Sequence, residues 1–324
     1  MTEIPVAPIV ETRGLVKRYD GELAVAGIDL VIGPGEIFGL VGPNGAGKTT
    51  TMKILATLLA PTAGEAQVCG IDVTDDPIEV RRRIGYMPDF YGVYDDLRVW
   101  EYLDFFARCY SVPAARRAGM IGELLEIVGL GDKRDSYVEA LSRGMRQRLC
   151  LAHTLVHDPQ LLILDEPASG LDPRARVETR EILRELRGMG KTILVSSHIL
   201  SEMAELCTSV GIIDHGRLLR SGSIEEIQRS LRATALLRID LLSDPATAMA
   251  WLGTDERVGD VLEVSSDGIV ARLEVHFDGP PDEQAALLHG MIEAGHRVSG
   301  FSQATSDLED IFLRVTGNDE ETAA

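Results

Sequence analysis

The stretch Gly42-Pro43-Asn44-Gly45-Ala46-Gly47-Lys48-Thr49-Thr50 constrains this chain more than any other. It fits G-x-x-x-x-G-K-[ST] and lies between an apolar run at 37–41 and a helical pattern over 49–59. A buried strand, a glycine-rich turn and a helix start in that order make a cradle for phosphate. Gly45 and Gly47 let backbone N–H groups close around phosphate oxygens, and the helix N-terminus adds favourable potential. Lys48 brings a point charge to the β- and γ-phosphates of a nucleotide, and the Thr49 hydroxyl suits Mg²⁺.

The rest of the first two thirds agrees with an α/β core. Apolar runs at 84–87, 161–164, 192–196 and 209–214 predict further strands, and amphipathic patterns over 99–110, 117–128, 144–157 and 174–189 predict helices. That alternation implies a mostly parallel, mixed sheet with crossover helices. Residues 90–157 are almost wholly helical in pattern and form a helical subdomain inserted into the core. A glycine-bounded turn region near 220–232 marks a boundary. Domains are therefore expected at 1–222 and 233–317, followed by an acidic tail at 318–324. Beyond 232 the order is strand, helix, strand, strand, helix, strand and a short closing helix at 308–315, a small α+β domain with the ferredoxin-like order.

Composition excludes several classes. In 324 residues, 45% are hydrophobic and 26% charged, ordinary for a globular chain. No window approaches the roughly 18 apolar residues of a membrane span, and 1–10 lacks the pattern of a secretory leader. Residues 221–324 hold 7 Lys+Arg against 20 Asp+Glu, which is −13 of the net −19. Such a chain repels phosphate backbones, so no nucleic-acid partner is expected. Cys69, Cys109, Cys150 and Cys207 are scattered with no C-x-x-C, which predicts reduced thiols in the cytoplasm.

A second motif completes the first. Leu161-Leu162-Ile163-Leu164-Asp165-Glu166-Pro167 is an apolar strand ending in two adjacent carboxylates. Asp165 arrives at the carboxyl edge of the sheet, where it suits Mg²⁺, and Glu166 is placed to polarise an attacking water.

Many nucleotide hydrolases would share these two elements. Leu141-Ser142-Arg143-Gly144-Met145-Arg146-Gln147-Arg148, followed by Ser169-Gly170-Leu171-Asp172 and Ser197-His198, narrows the choice. Together, over about residues 9–225, these motifs resemble the ATP-binding subunits of ABC transporters. The resemblance implies that Ser142, Arg143, Gly144 and Met145 form the signature, that Asp172 belongs to the D-loop, and that His198 is the switch histidine. It implies Tyr19 as the aromatic that stacks on adenine. It also implies that Ser142 and Gly144 act in trans, closing on ATP held by a second copy, so that ATP drives dimerisation. Ser142 stands where a helix N-cap belongs, which fits an anion site. The variant Leu-Ser-x-Gly-Met-x-Gln-Arg and the stretch Ser306–Gly317 resemble drug- and antibiotic-export ATPases of the daunorubicin type.

One position departs from the family. Where the resemblance places a glutamine after Pro88, this chain has Asp89. A carboxylate there is a further candidate ligand for Mg²⁺.

Two other groups are weighed on their residues. His153 and His157 stand four apart on a helix without the glutamate of H-E-x-x-H, so they are expected to be structural. Eight of the 16 aromatics fall within 90–110. Val99, Leu103, Phe106 and Tyr110 share one helical face and are assigned to the core. Phe90, Tyr91 and Tyr94 precede the helix and are expected to dock a membrane partner.

The expectation is an ATPase with Glu166 and His198 at the reaction, powering an exporter of a drug, antibiotic or lipid-like compound. ATP and Mg²⁺ are its cofactors. Its partners are separate permease subunits and a second ATP-binding subunit, in a homodimer. Its place is cytoplasmic, peripheral on the inner membrane face. The alternative is a soluble ATPase or ATP sensor that drives no transport.

Overall fold

Three strands with every residue buried organise the first part of the chain: β3 (Ile37–Val41), β7 (Leu161–Leu164) and β8 (Thr192–Ser197). Strands covered on both faces read as unbroken apolar runs, which is why they stood out in the sequence. They lie in a six-stranded sheet of order β10-β9-β3-β8-β7-β6, with β6 at Ile84–Met87, β9 at Ser209–Asp214 and β10 at Arg217–Ser223. All pairings are parallel except β9 with β10. The computed structural model describes residues 7–90, 92–227, 234–242, 244–266 and 270–303, and its contacts form two units, Met1–Ser223 and Ile224–Ala324.

The first unit has a second, antiparallel sheet that the sequence pattern did not announce. Its order is β2-β1-β4-β5, from Val10–Tyr19 (β1), Glu22–Ile32 (β2), Ala63–Val68 (β4) and Ile71–Asp72 (β5). Register shifts between Thr12 and Leu15 and again near Lys17 break the period-two alternation of β1. Helix α1 (Lys48–Leu55) places Met52, Ile54 and Leu55 in one apolar cluster with Val10, Ile28 and Leu30 of this sheet and Phe38 and Leu40 of β3. The helix stops at Leu55 rather than 59, because Thr57 turns left-handed at φ 60°.

Between β6 and β7 the chain is helical. It runs through α3 (Val99–Cys109), α4 (Ala114–Ile127) and α5 (Arg143–Thr154), after the short α2 (Pro77–Arg83). The buried face of α3 is Val99, Tyr102, Leu103 and Ala107, so Val99 and Leu103 of the expected face are in the core, while Phe106 and Tyr110 are not fully buried. Phe106 is half-buried and stacks on His153 at 3.7 Å, while Tyr110 is exposed on one side and stacks on His157 at 3.9 Å. Burial pushes His153 down to about 4, so it packs as a neutral ring. His157 Nε2 bonds the Ile84 carbonyl at 2.8 Å, which ties the end of α5 to β6. The sheet is completed by α6 (Pro173–Gly188) and α7 (Leu200–Leu206).

The second unit is a four-stranded antiparallel sheet of order β12-β13-β11-β14. Its strands are Thr234–Leu241 (β11), Val258–Ser266 (β12), Ala271–Asp278 (β13) and Val298–Gln303 (β14). Helices Pro245–Leu252 and Pro281–Glu293 fall after β11 and β13, giving the split βαβ order. Leu237, Ile239, Leu273, Val275 and Phe277 meet Leu252, Leu287 and Met291 of the helices in its core. The closing helix expected at 308–315, the stretch Ser306–Gly317 and the acidic tail lie outside the described residues.

Candidate functional site

The phosphate-type loop sits where β3 ends and α1 begins, at the carboxyl edge of the six-stranded sheet. Its glycines answer to sterics. A Cβ on Gly42 would lie 2.2 Å from the Ile213 carbonyl, and Gly47 has φ 104° with the Ala24 carbonyl 2.4 Å from a would-be Cβ. No other residue fits at either position. Pro43, Asn44 and Gly45 line the open side, Ala46 is buried beneath, and Thr49 and Thr50 follow on the first turn of α1, with Thr49 exposed.

Lys48 is only 5% exposed. Its Nζ donates to the carbonyls of Gly42 at 2.6 Å and Pro43 at 3.1 Å and stands 3.6 Å from Glu166 Oε1. Burial lowers its pKa, and Glu166 and then Asp165 act against that shift.

The two carboxylates after β7 are held differently. Asp165 is 1% exposed, and its Oδ1 accepts from Ser196 Oγ at 2.6 Å. The same hydroxyl accepts from the Glu166 amide at 2.8 Å. Glu166 sits in the left-handed region at φ 49°, an uncommon conformation for a non-glycine residue. Its Oε2 lies 3.0 Å from His198 Nδ1 just after β8. A carboxylate only accepts, so Nδ1 carries the proton in that contact. Glu166 thus lies between Lys48 and His198, with both oxygens engaged. Ser196 was not singled out from sequence, because a serine at a strand end carries no motif of its own.

The remaining expected residues fall as follows. Tyr19 ends β1, 44% exposed, with Lys17 Nζ 5.3 Å from its ring centre. Asp89 follows β6 and is exposed; partial burial and then the charges of Asp165 and Glu166 raise its carboxyl pKa, while Arg143 and His198 oppose. It therefore faces the two carboxylates. Ser142 is the N-cap of α5, its Oγ accepting from the Met145 amide at 3.3 Å, with Gly144 in the first turn. Arg143 leans on Gly170 and donates to the Ser169 carbonyl at 3.4 Å. Asp172 caps α6, accepting from the Ala175 amide at 2.9 Å. Phe90 is 93% exposed, whereas Tyr94 packs edge-on against Phe105 at 5.7 Å. Tyr91 lies outside the described residues.

Comparisons with known proteins agree with this geometry. The family model described as "ABC transporter" matches residues 25–169. The daunorubicin/doxorubicin resistance ATP-binding protein DrrA of Streptomyces peucetius is 38% identical over 309 residues, covering 95% of this chain and 92% of that one. A Nod factor export ATP-binding protein I of Ralstonia nicotianae is 36% identical, covering 96% and 95%. Among solved structures, an ATP-binding subunit of an ABC transporter superposes with TM-score 0.63 at 31% identity, covering 69% of this chain and 93% of that one. CbiO1 from Clostridium perfringens, part of the ABC transporter complex cbiONQ, gives 0.63 at 26% identity, covering 70% and 94%. With a phosphate-type loop, paired carboxylates and a histidine joined on one sheet edge, the chain belongs to the ATP-binding subunits of ABC transporters, of the exporter type, and is an ATPase coupled to transport.

Proposed function

We propose that Glu166 is the general base for ATP hydrolysis in this subunit and that Lys48, His198 and Ser196 hold it for that task. The observation that carries this reading is the contact of both Glu166 oxygens, one toward Lys48 at 3.6 Å and one on His198 at 3.0 Å. Lys48 and the loop amides from Gly42 to Thr50 take the β- and γ-phosphates, and Tyr19 takes the adenine face. Asp165 is a buried carboxylate and Thr49 a hydroxyl at a helix start, a hard-oxygen pair that fits Mg²⁺. When bound, Mg²⁺ neutralises charge developing between the β- and γ-phosphates. Glu166 then accepts the proton of a water in line with the γ-phosphate, and the His198 contact keeps the carboxylate aimed.

Ser142 and Gly144 meet ATP held by a second copy of the chain, so the working unit is a homodimer closed by ATP. Glu166→Gln tests both parts. It retains ATP, loses turnover by about a hundredfold or more and accumulates an ATP-dependent dimer. Parent-rate hydrolysis by this variant would falsify the assignment of the base.

The subunit drives separate permease subunits and is held at the inner membrane face through them. Among the described residues no helix is long and apolar enough to cross a membrane. The names of the two relatives support a drug-, antibiotic- or lipid-like cargo. Phe90 is the docking aromatic, because it stands clear of its own chain, while Tyr94 packs against Phe105 of α3. Phe90→Ala weakens co-purification with the permease without moving the melting temperature. Undiminished co-purification removes Phe90 from the interface.

A further inference from the structure

Gln147, in the second turn of α5, is 4% exposed; it belongs to the motif stretch 141–148 but was given no role of its own there. Its Nε2 donates to the carbonyl of Pro167, the residue directly after Glu166. Its Oε1 is buried and has no partner among the described residues. A buried amide that spends its donor on one backbone carbonyl and leaves its acceptor unmet is there for that single bond. The bond reaches a special place. Glu166 is held left-handed at φ 49°, its amide on Ser196 Oγ and its carbonyl accepting from the Ser169 amide at 3.0 Å. Pro167 is the hinge between that strained residue and the turn that follows.

The strap is not isolated. Arg143, one turn earlier on the same face of α5, donates to the Ser169 carbonyl. Between them, a Cβ on Gly144 would lie 3.3 Å from Ala175 and 3.6 Å from Leu171, so the backbone of α5 runs close along the segment after Glu166. Positions 143, 144 and 147 share a helical face. The helix that begins at Ser142 is thus fastened, side chain to carbonyl, to the turn that carries the base.

We propose that Gln147 is a positioning residue. It transmits the seating of α5 on the partner's nucleotide to the orientation of Glu166 in its own chain. The proposal rests on the reading of Glu166 as the base. A rigid helix with one end at the signature and one hydrogen bond on the base-bearing turn is the contiguous element such coupling needs.

Gln147→Met keeps length and burial and removes the donor. The expected result is a kcat lower by about tenfold or more, with the KM for ATP within about twofold and an unmoved melting temperature. In a Glu166→Gln background the same substitution brings no further loss, because there is no base left to aim. A kcat within about twofold of the parent overturns the proposal, and so does an equal further loss in the Glu166→Gln background. Glu166→Gln alone reports on the base. If it is inactive while Gln147→Met is fully active, the strap fails and the base stands.

Gln147→Glu guards against a variant that merely misfolds. A buried carboxyl is readily protonated, and its O–H then donates to the Pro167 carbonyl. Turnover relative to the parent chain rises as pH falls. A ratio that stays flat with pH, in a folded variant with lowered kcat, overturns the role of the hydrogen bond.

Discussion

Two helix N-termini in this chain are assigned to the phosphates of ATP, and they are built in opposite ways. Helix α1 starts at Gly47, left-handed and without a side-chain cap, so its first amides stay free for a ligand. A buried lysine stands at its first position, and the two carboxylates that follow β7, two strands away in the sheet, act on it. Helix α5 starts at Ser142, whose hydroxyl already serves the Met145 amide, on an exposed turn with Arg143 pointing back over its own chain. Neither helix has an acidic residue in its first turn, whereas α2 and α3 each have one. Glutamate or aspartate at that place would satisfy the dipole and repel an anion. Helix α1 therefore has a full set of phosphate-binding groups within one chain. The α5 turn has the potential and the amides but no buried cation, which fits the proposal that it meets a nucleotide held by another copy.

The largest effect is expected from emptying the first site. Lys48→Ala removes the one buried cation at the loop and leaves Glu166 without its counter-charge. ATP affinity falls by about a hundredfold or more, measured by titration with a fluorescent ATP analogue. If affinity stays near the parent value, the loop amides alone hold the phosphates and the contrast between the two helix starts is small.

Ser142→Ala sharpens it from the other side. The cap is lost, which costs α5 about 1 kcal/mol, and the trans site loses a hydroxyl. Binding of ATP to the monomer stays at parent affinity. In a Glu166→Gln background the ATP-driven dimer weakens by about tenfold, measured by sedimentation at several concentrations. A drop in monomer affinity instead would place Ser142 in the same site as Lys48.

What the sequence made legible follows the same division. The loop, the paired carboxylates and His198 were readable because their partners are close in sequence or stand at the ends of fully buried strands. The antiparallel sheet was not, because bulges in β1 scramble the alternation that identifies a half-buried strand. The bonds of Ser196 and Gln147 were invisible for another reason: they span 31 and 20 residues, and no spacing rule reports them. The role of Asp172 as a cap is local and could have been read from Asp-Pro at the start of a helical pattern. The aromatics before α3 were read as one group, and only packing separates Phe90 from Tyr94, since both precede the same helix.

Asp89 gives the smallest effect and the finest test of how complete the first site is. It stands where the family pattern has a neutral glutamine, and burial with Asp165 and Glu166 raises its carboxyl pKa. Three carboxylates then share the face that receives the phosphates. Without a metal, the added charge disfavours ATP; with Mg²⁺, a hard oxygen nearby becomes tolerable or useful. ATP affinity of the parent chain is therefore expected to depend on Mg²⁺ a few-fold more than that of Asp89→Asn, with lower turnover in the variant. The sign with pH follows from the raised pKa. As pH falls through it, Asp89 takes up a proton and the repulsion goes, so the difference in Mg²⁺ dependence between the parent and Asp89→Asn shrinks, over and above the drift that protonation of the terminal phosphate gives both chains. Affinities measured with Mg²⁺ and with a chelator, across a pH series running down from neutral, decide the matter. Equal Mg²⁺ dependence in the two chains at neutral pH would leave Asp89 as a turn residue, and the first site would be complete without it.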